Sequence, residues 1–271
     1  MSFQPAFSSG IAYLERKGPG PVLVCLHGIG SNAQSFDALL PCLPDDWHVV
    51  AWNVPGYSGS APLSIEWPIA RDYAMSLKGL TNALSIRKIN LFAHSLGTLI
   101  AASFAVSYPN KVSRMMLASC ALGHGVKAGG SLSEQAQARL TDLAESGPQA
   151  FAAKRAARLV HRPEEHPLLV ERIRNTMSKV SNPGYTQAVR MLASGKLVED
   201  CLQLTIPTSV LTGSDDQITP PKNSQSTYSA IPNAQRRNFV SLANAGHAVY
   251  QQAPKEVANF IISEVGGNDE R

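Results

Sequence analysis

The sequence predicts an α/β protein, with a mainly parallel sheet covered by helices on both faces and interrupted by one helical insertion. Three observations predict it. Short apolar runs rich in β-branched residues recur between Gly and Pro punctuation, and helical stretches separate most of them. The alternation then stops between Leu122 and Asp200, where helical patterns follow one another without a strand. Such alternation buries each strand on both faces, which is what a parallel sheet requires. At 271 residues the chain is long enough for one large core with an inserted subdomain.

Ile11 to Glu15 reads as an amino-terminal edge strand. Buried strands are expected at Val22 to Leu26, His48 to Trp52, Ile89 to Ala93, Val112 to Leu117, Thr208 to Leu211 and Phe239 to Leu242. Asp72 to Leu84, Leu96 to Ser107 and Lys255 to Val265 have helical patterning. In the insertion, Ser131 with Glu134 has the spacing of a capping box for a helix ending near Gly147. Pro148 can open a second helix and Pro167 a third, and Gly184 to Ser194 gives a fourth after the turn Asn182-Pro183-Gly184. The division expected is a core of residues 1–121 and 202–271 with a helical lid over 122–201. The polar stretch from Gly266 to Arg271 is expected to fray.

Composition narrows the class of function. A net charge of +4, with 16% charged and 44% hydrophobic residues, excludes a disordered chain and a nucleic-acid-binding arm. Cys25, Cys42, Cys120 and Cys201 lie far apart with no CxxC or Cys/His cluster at metal-ligand spacing, so they read as reduced thiols, which agrees with a mechanism, set out below, that needs no metal or organic cofactor. The first ten residues lack the basic-then-apolar order of a secretory leader, and no apolar run reaches the ~18 residues that span a bilayer. The expectation is a cytoplasmic protein, monomer or homodimer, whose partner is a small molecule and not nucleic acid or membrane.

Four motifs stand at the carboxyl ends of expected strands. Ala93-His94-Ser95-Leu96-Gly97 joins a strand to a helix rich in small residues, the context of a nucleophile elbow. Ala93 and Gly97, two before and two after Ser95, leave room for strand and helix to approach. His27-Gly28-Ile29-Gly30-Ser31 follows Val22 to Leu26; such a turn can leave the N–H of Ile29 free to face that of Leu96, as an oxyanion hole needs. Gly213-Ser214-Asp215-Asp216 supplies an acid that could hold an imidazole in its productive tautomer. Gly246-His247 supplies that imidazole before the last helix. Taken singly, each also has a bland reading, as an ordinary βα turn, a capping aspartate or a surface histidine. Together they occur in the order Ser, Asp, His.

With these residues in place, the sequence resembles the α/β-hydrolase superfamily from Ile11 to about Val265. The resemblance implies an eight-stranded, mostly parallel core with the lid inserted after the sixth strand. Ser119-Cys120-Ala121 after that strand offers no carboxylate, so the acid is expected at Asp216, the position that Gly-x-x-Asp implies in preference to Asp215. HGIGSNAQSF, AHSLGTLIAASFAVSYPNKV and GYTQAVRMLASGKLVEDCLQLTIPTSVLTGSDDQITPP look most like the 3-oxoadipate enol-lactonase group. Gln252 stands where many relatives have a glutamate.

The resemblance implies hydrolysis of a carboxylic ester or lactone through an acyl-enzyme, with Ser95 as nucleophile, His247 as base and Asp216 as orienting acid. A meta-cleavage C–C hydrolase is the alternative, less favoured because Ile29-Gly30-Ser31 departs from the Gly-Pro-Gly-like turn of that group. An acyltransferase and a ligand-binding protein on the same fold are further alternatives. Residues 122–201 carry 11 Lys and Arg against 8 Asp and Glu, which points to an anionic substrate or to a merely solvated surface. Arg155, Arg158 and Arg190 are the candidates for a substrate carboxylate, and Gly28 and Trp67 for the pocket wall.

Overall fold

The computed structural model describes residues 3–267. Eight strands form one sheet in the order β1-β2-β4-β3-β5-β6-β7-β8: β1 Gln4–Ser8, β2 Ile11–Arg16, β3 Val22–Leu26, β4 His48–Trp52, β5 Ile89–His94, β6 Val112–Ala118, β7 Thr208–Gly213 and β8 Arg236–Leu242. β1 pairs antiparallel with β2, and β2 with β4; all later pairings are parallel.

Both faces of the central strands are covered, and the pleat explains the near-continuous apolar runs. Val24, Leu26, Leu91 and Ala93 pack into one hydrophobic layer, whereas their neighbours Leu23, Cys25 and Phe92 pack into the other. The first layer is closed by α1 Ala70–Ala83 and α2 Leu96–Ser107. α9 Pro254–Gly266 contributes Val257 and Ile261 to the second. Between β6 and β7 the chain forms α3 Glu134–Ala153, α4 Pro167–Met177, α5 Gly184–Ser194 and α6 Leu197–Cys201. α7 Pro221–Ala230 follows β7, and the short α8 Val249–Gln252 precedes α9.

Three expectations are corrected. Ile11–Arg16 is not the sheet edge, because Gln4–Ser8 pairs outside it through a Ser9-Gly10 turn with φ of 50° and 78°, the two left-handed residues that a tight hairpin needs. That strand gives no periodic signal, since its residues are mostly exposed and it contains Pro5, which only an edge tolerates. α1 begins at Ala70 and not at Asp72, since Asp72 caps the helix by accepting from the Ile69 N–H at 2.8 Å. Ser133, and not Ser131, caps α3, its Oγ accepting from Ala136 N at 3.2 Å. α3 is broken at Gly147 (φ 72°, ψ 165°), and the helix resumes at Pro148. α9 reaches Gly266; residues 268–271 of the expected frayed tail lie outside the described residues. None of the four cysteines is bridged. No helix among the described residues is long and apolar enough to cross a membrane.

Candidate active site

Ser95 sits between β5 and α2 with φ 52° and ψ −116°, backbone that a non-glycine residue adopts only under constraint. The neighbours supply that constraint. Ser95 N–H donates to Ala118 O at 3.0 Å, and Ser95 O accepts from Thr98 N and Thr98 Oγ1. At Gly97 a Cβ would lie 2.6 Å from Leu26 O, and at Gly28 one would lie 3.0 Å from both Ser95 Cβ and His94 Nδ1. Glycine at these two places lets β3, β5 and α2 converge beneath the hydroxyl.

His247 and Asp216 meet Ser95 in one buried line. His247 Nε2 lies 3.1 Å from Ser95 Oγ, and His247 Nδ1 lies 2.9 Å from Asp216 Oδ2. Asp216 Oδ1 also accepts from the N–H groups of Ile218 and Thr219 at 2.9 Å each. Thr219 Oγ1 stands 2.9 Å from Asp216 Oδ2, 3.0 Å from Ser119 O and 3.1 Å from His247 Nδ1. Burial pushes the Asp216 carboxyl up, but the charge and hydrogen bond of His247 and the two backbone donors outweigh it and bring the group down to about 2. The carboxylate is therefore ionised throughout the neutral pH range. Asp215 faces elsewhere, with Ser214 Oγ at 2.5 Å and His161 Nδ1 at 3.5 Å.

His94 supports the same histidine from behind. Its Nε2 donates to the backbone carbonyl of His247 at 2.7 Å, and its ring lies 4.7 Å from the His247 ring. Burial first, and then the neighbouring His247, lower its pKa to about 3, so it stays neutral.

Ser95 and His247 open into a cavity of ≈ 410 Å³ under the β6–β7 connection, a volume within the range of small-molecule sites. Ile29 and Gly30 line it beside the serine. Among the described residues no hydrogen bond engages the N–H of Ile29 or of Leu96, the latter the first residue of α2 and so without an intrahelical acceptor. Arg139, Arg155 and Arg158 line the cavity, and among the described residues no Asp or Glu does. Arg155 is already engaged: it pairs with Asp142 and lies over the Phe151 ring at 3.9 Å, and Lys154 joins the same carboxylate. Arg139 has no ion pair among the described residues, is half-buried, and its charge acts on the buried Tyr57 and Tyr185 phenols. Arg158 is exposed.

Three expected substrate-binding residues, the wall candidates Trp67 and Gly28 and the carboxylate candidate Arg190, are placed elsewhere, which corrects their assignment. Trp67 and Arg190 do not line the cavity: Trp67 Nε1 donates to Ser194 Oγ at 2.7 Å, and Arg190 spans to Glu66 while its guanidinium faces the Trp67 ring at 5.6 Å. Gly28 is likewise outside the lining; its place is beneath Ser95. Thr219 and Arg139 are site residues the sequence reading missed. Thr219 had a signal, because an Asp followed by a short turn into Pro220-Pro221 must cap its own backbone. Arg139 had none beyond helical spacing. No group of three or more His, Cys, Asp or Glu among the described residues is placed to hold a metal ion.

A family model described as the alpha/beta hydrolase fold matches residues 21–254. The chain belongs to that family. Among proteins similar to this α/β hydrolase is the (E)-2-((N-methylformamido)methylene)succinate hydrolase of Acinetobacter baylyi, 26% identical over 248 residues, or 91% of this chain and 90% of the relative. Two solved structures share the fold. The enol-lactonase of Burkholderia xenovorans LB400 superposes with a TM-score of 0.85 at 17% identity, covering 97% of this chain and 100% of the other. A thermophilic esterase from Thermogutta terrifontis superposes with a TM-score of 0.82 at 22% identity over 98% of each chain.

Proposed function

We propose that this α/β hydrolase cleaves a small carboxylic ester or lactone carrying a second, negatively charged carboxylate. The observation that carries the reading is the buried line from Asp216 through His247 to Ser95, with its hydroxyl end open to a cavity lined by arginines and, among the described residues, by no Asp or Glu.

In the first step Ser95 Oγ attacks the substrate carbonyl as its proton passes to His247 Nε2. The carbonyl oxygen takes the negative charge, and the N–H groups of Ile29 and Leu96 receive it at the amino end of α2. Collapse of the tetrahedral centre breaks the carbon–oxygen bond, and His247 returns the proton to the leaving oxygen. Water then gives a proton to His247 and attacks the acyl carbon. The second collapse frees the acid and restores the Ser95 hydroxyl. Asp216 holds Nδ1–H throughout and stabilises the imidazolium at each transfer.

Residues 122–201 act as the lid and supply the substrate's counter-charge. Arg139 is favoured for the carboxylate over Arg155, which Asp142 already occupies, and over Arg190, which lies outside the cavity. The succinate-type substrate named for the Acinetobacter relative supports an anionic ligand by similarity. Turnover of matched ester pairs, one neutral and one bearing a free carboxylate, tests the reading. A kcat/KM at least about tenfold higher for the anionic member is expected, in keeping with a charge-assisted hydrogen bond; equal values overturn it.

A further inference from the structure

The segment 159–161 of the β6–β7 connection grips the two residues that flank His247. Ala248 N–H donates to Leu159 O at 2.8 Å. Gly246 presses so close that a Cβ there would lie 2.7 Å from His161 N and 2.9 Å from Leu159 O. Gln252, at the end of α8, closes the arrangement: its Oε1 accepts from both Gly246 N–H and His161 N–H at 3.0 Å, and its Nε2 donates to His161 O at 2.9 Å. Two N–H donors on one side and a carbonyl on the other fix which end of the amide is oxygen.

We infer that Gln252 is a positioning residue that clasps residues 159–161 to the His247 loop and thereby sets the alignment of His247 with Ser95. The inference rests on the reading of His247 as the base. In this chain an ionised carboxylate does not reproduce the amide's pattern, because its second oxygen would face the His161 carbonyl, acceptor against acceptor. The β6–β7 connection is then more than a cover: where it carries cavity-lining Leu159 it is anchored to the catalytic loop, and opening for substrate must occur elsewhere along it.

The test compares wild type with Gln252→Glu, which keeps the shape and one acceptor oxygen, and Gln252→Met, which keeps the volume alone. Amide hydrogen exchange at Gly246 and His161 reports the clasp without reference to activity. The rate of Ser95 phosphonylation by a fluorophosphonate, with kcat and KM on a turned-over ester, reports alignment. Both variants should exchange faster at those two amides, react with the fluorophosphonate about tenfold or more slowly, and lose kcat at nearly constant KM. Gln252→Glu should lose at least as much as Gln252→Met, an order that a packing role would not give. Unchanged exchange at Gly246 and His161 overturns the clasp. Faster exchange with phosphonylation within twofold of wild type overturns the positioning role. A wild-type enzyme inert to the fluorophosphonate overturns the hydrolase reading instead, and the clasp is then decided by exchange alone.

Discussion

His94 and His247 are joined by a hydrogen bond in which the buried ring of one holds the main chain of the other: His94 Nε2 donates to His247 O at 2.7 Å. A carbonyl can only accept, so a proton sits on Nε2, and burial, by disfavouring the imidazolium, leaves Nδ1 without one. His94 Nδ1 has no hydrogen-bond partner among the described residues and is enclosed next to Gly28.

The neutral state of His94 makes acid stability a prediction. Its pKa is lowered to about 3, and that of the fully buried His27 to about 4, in both cases by burial first. A group depressed in the folded state contributes stability above its unfolded pKa, ~6.5 for histidine, and loses it as pH falls through the folded value. Melting temperature should therefore fall between about pH 6.5 and 3, and His94→Gln, which can still donate to His247 O, should flatten part of that slope. A slope unchanged in His94→Gln removes His94 from the account.

Asp216 and Asp215 are neighbours in sequence with different surroundings, and the difference predicts their variants. Asp216→Asn leaves His247 Nδ1 facing an amide and should lower kcat by ~10³-fold or more, as expected when the imidazole tautomer is no longer fixed. Asp215→Asn, whose carboxylate meets Ser214 and His161, should stay within about threefold of wild type. Comparable losses in both, measured on one ester, contradict the geometry.

Asp216 also predicts a second acid effect. Its carboxyl is brought down to about 2, so its stabilisation is complete above the unfolded value of ~3.9 and is lost as pH falls toward 2. The gap in melting temperature between wild type and Asp216→Asn should close across that window. A gap that persists at pH 2 rules out the ionised carboxylate as its source.

The fold and much of the site are legible in the sequence for one physical reason. In a parallel sheet each strand ends in a turn that must be made of small or turn-forming residues, so Gly97, Gly28, Gly213 and Gly246 mark the strand ends on which Ser95, Asp216 and His247 stand. What the sequence hides is whatever tertiary approach alone decides. β1 is invisible because an edge strand with an exposed face carries little apolar period. Ser131 and Ser133 are both plausible caps, and only the chain path selects the second. Trp67 and Arg190 look like pocket residues by type, yet they pair with Ser194 and Glu66 outside it. Arg139 is indistinguishable from a solvated helix residue until α3 is laid over the serine, and Gln252 has meaning only once residue 161 is beside it.

Arg139 predicts a split between substrates. Arg139→Met should raise KM for a carboxylate-bearing ester by about tenfold or more while leaving a neutral ester nearly unaffected. Arg190→Met should change neither, because its guanidinium is held at Glu66. Steady-state kinetics on the matched pair checks both, and a selective KM increase in Arg190→Met in place of Arg139→Met reverses the assignment.

The proposed chemistry depends on Ser95 being the nucleophile of an acyl-enzyme. The direct measurement is mass spectrometry of the intact protein and its peptides after a fluorophosphonate, in wild type and Ser95→Ala, alongside ester and lactone turnover and a meta-cleavage dienoate control. A single adduct on Ser95, absent from a folded Ser95→Ala that has lost ~10³-fold or more of its turnover, is the predicted result. Labelling at another serine, or undiminished ester turnover in Ser95→Ala, would contradict it.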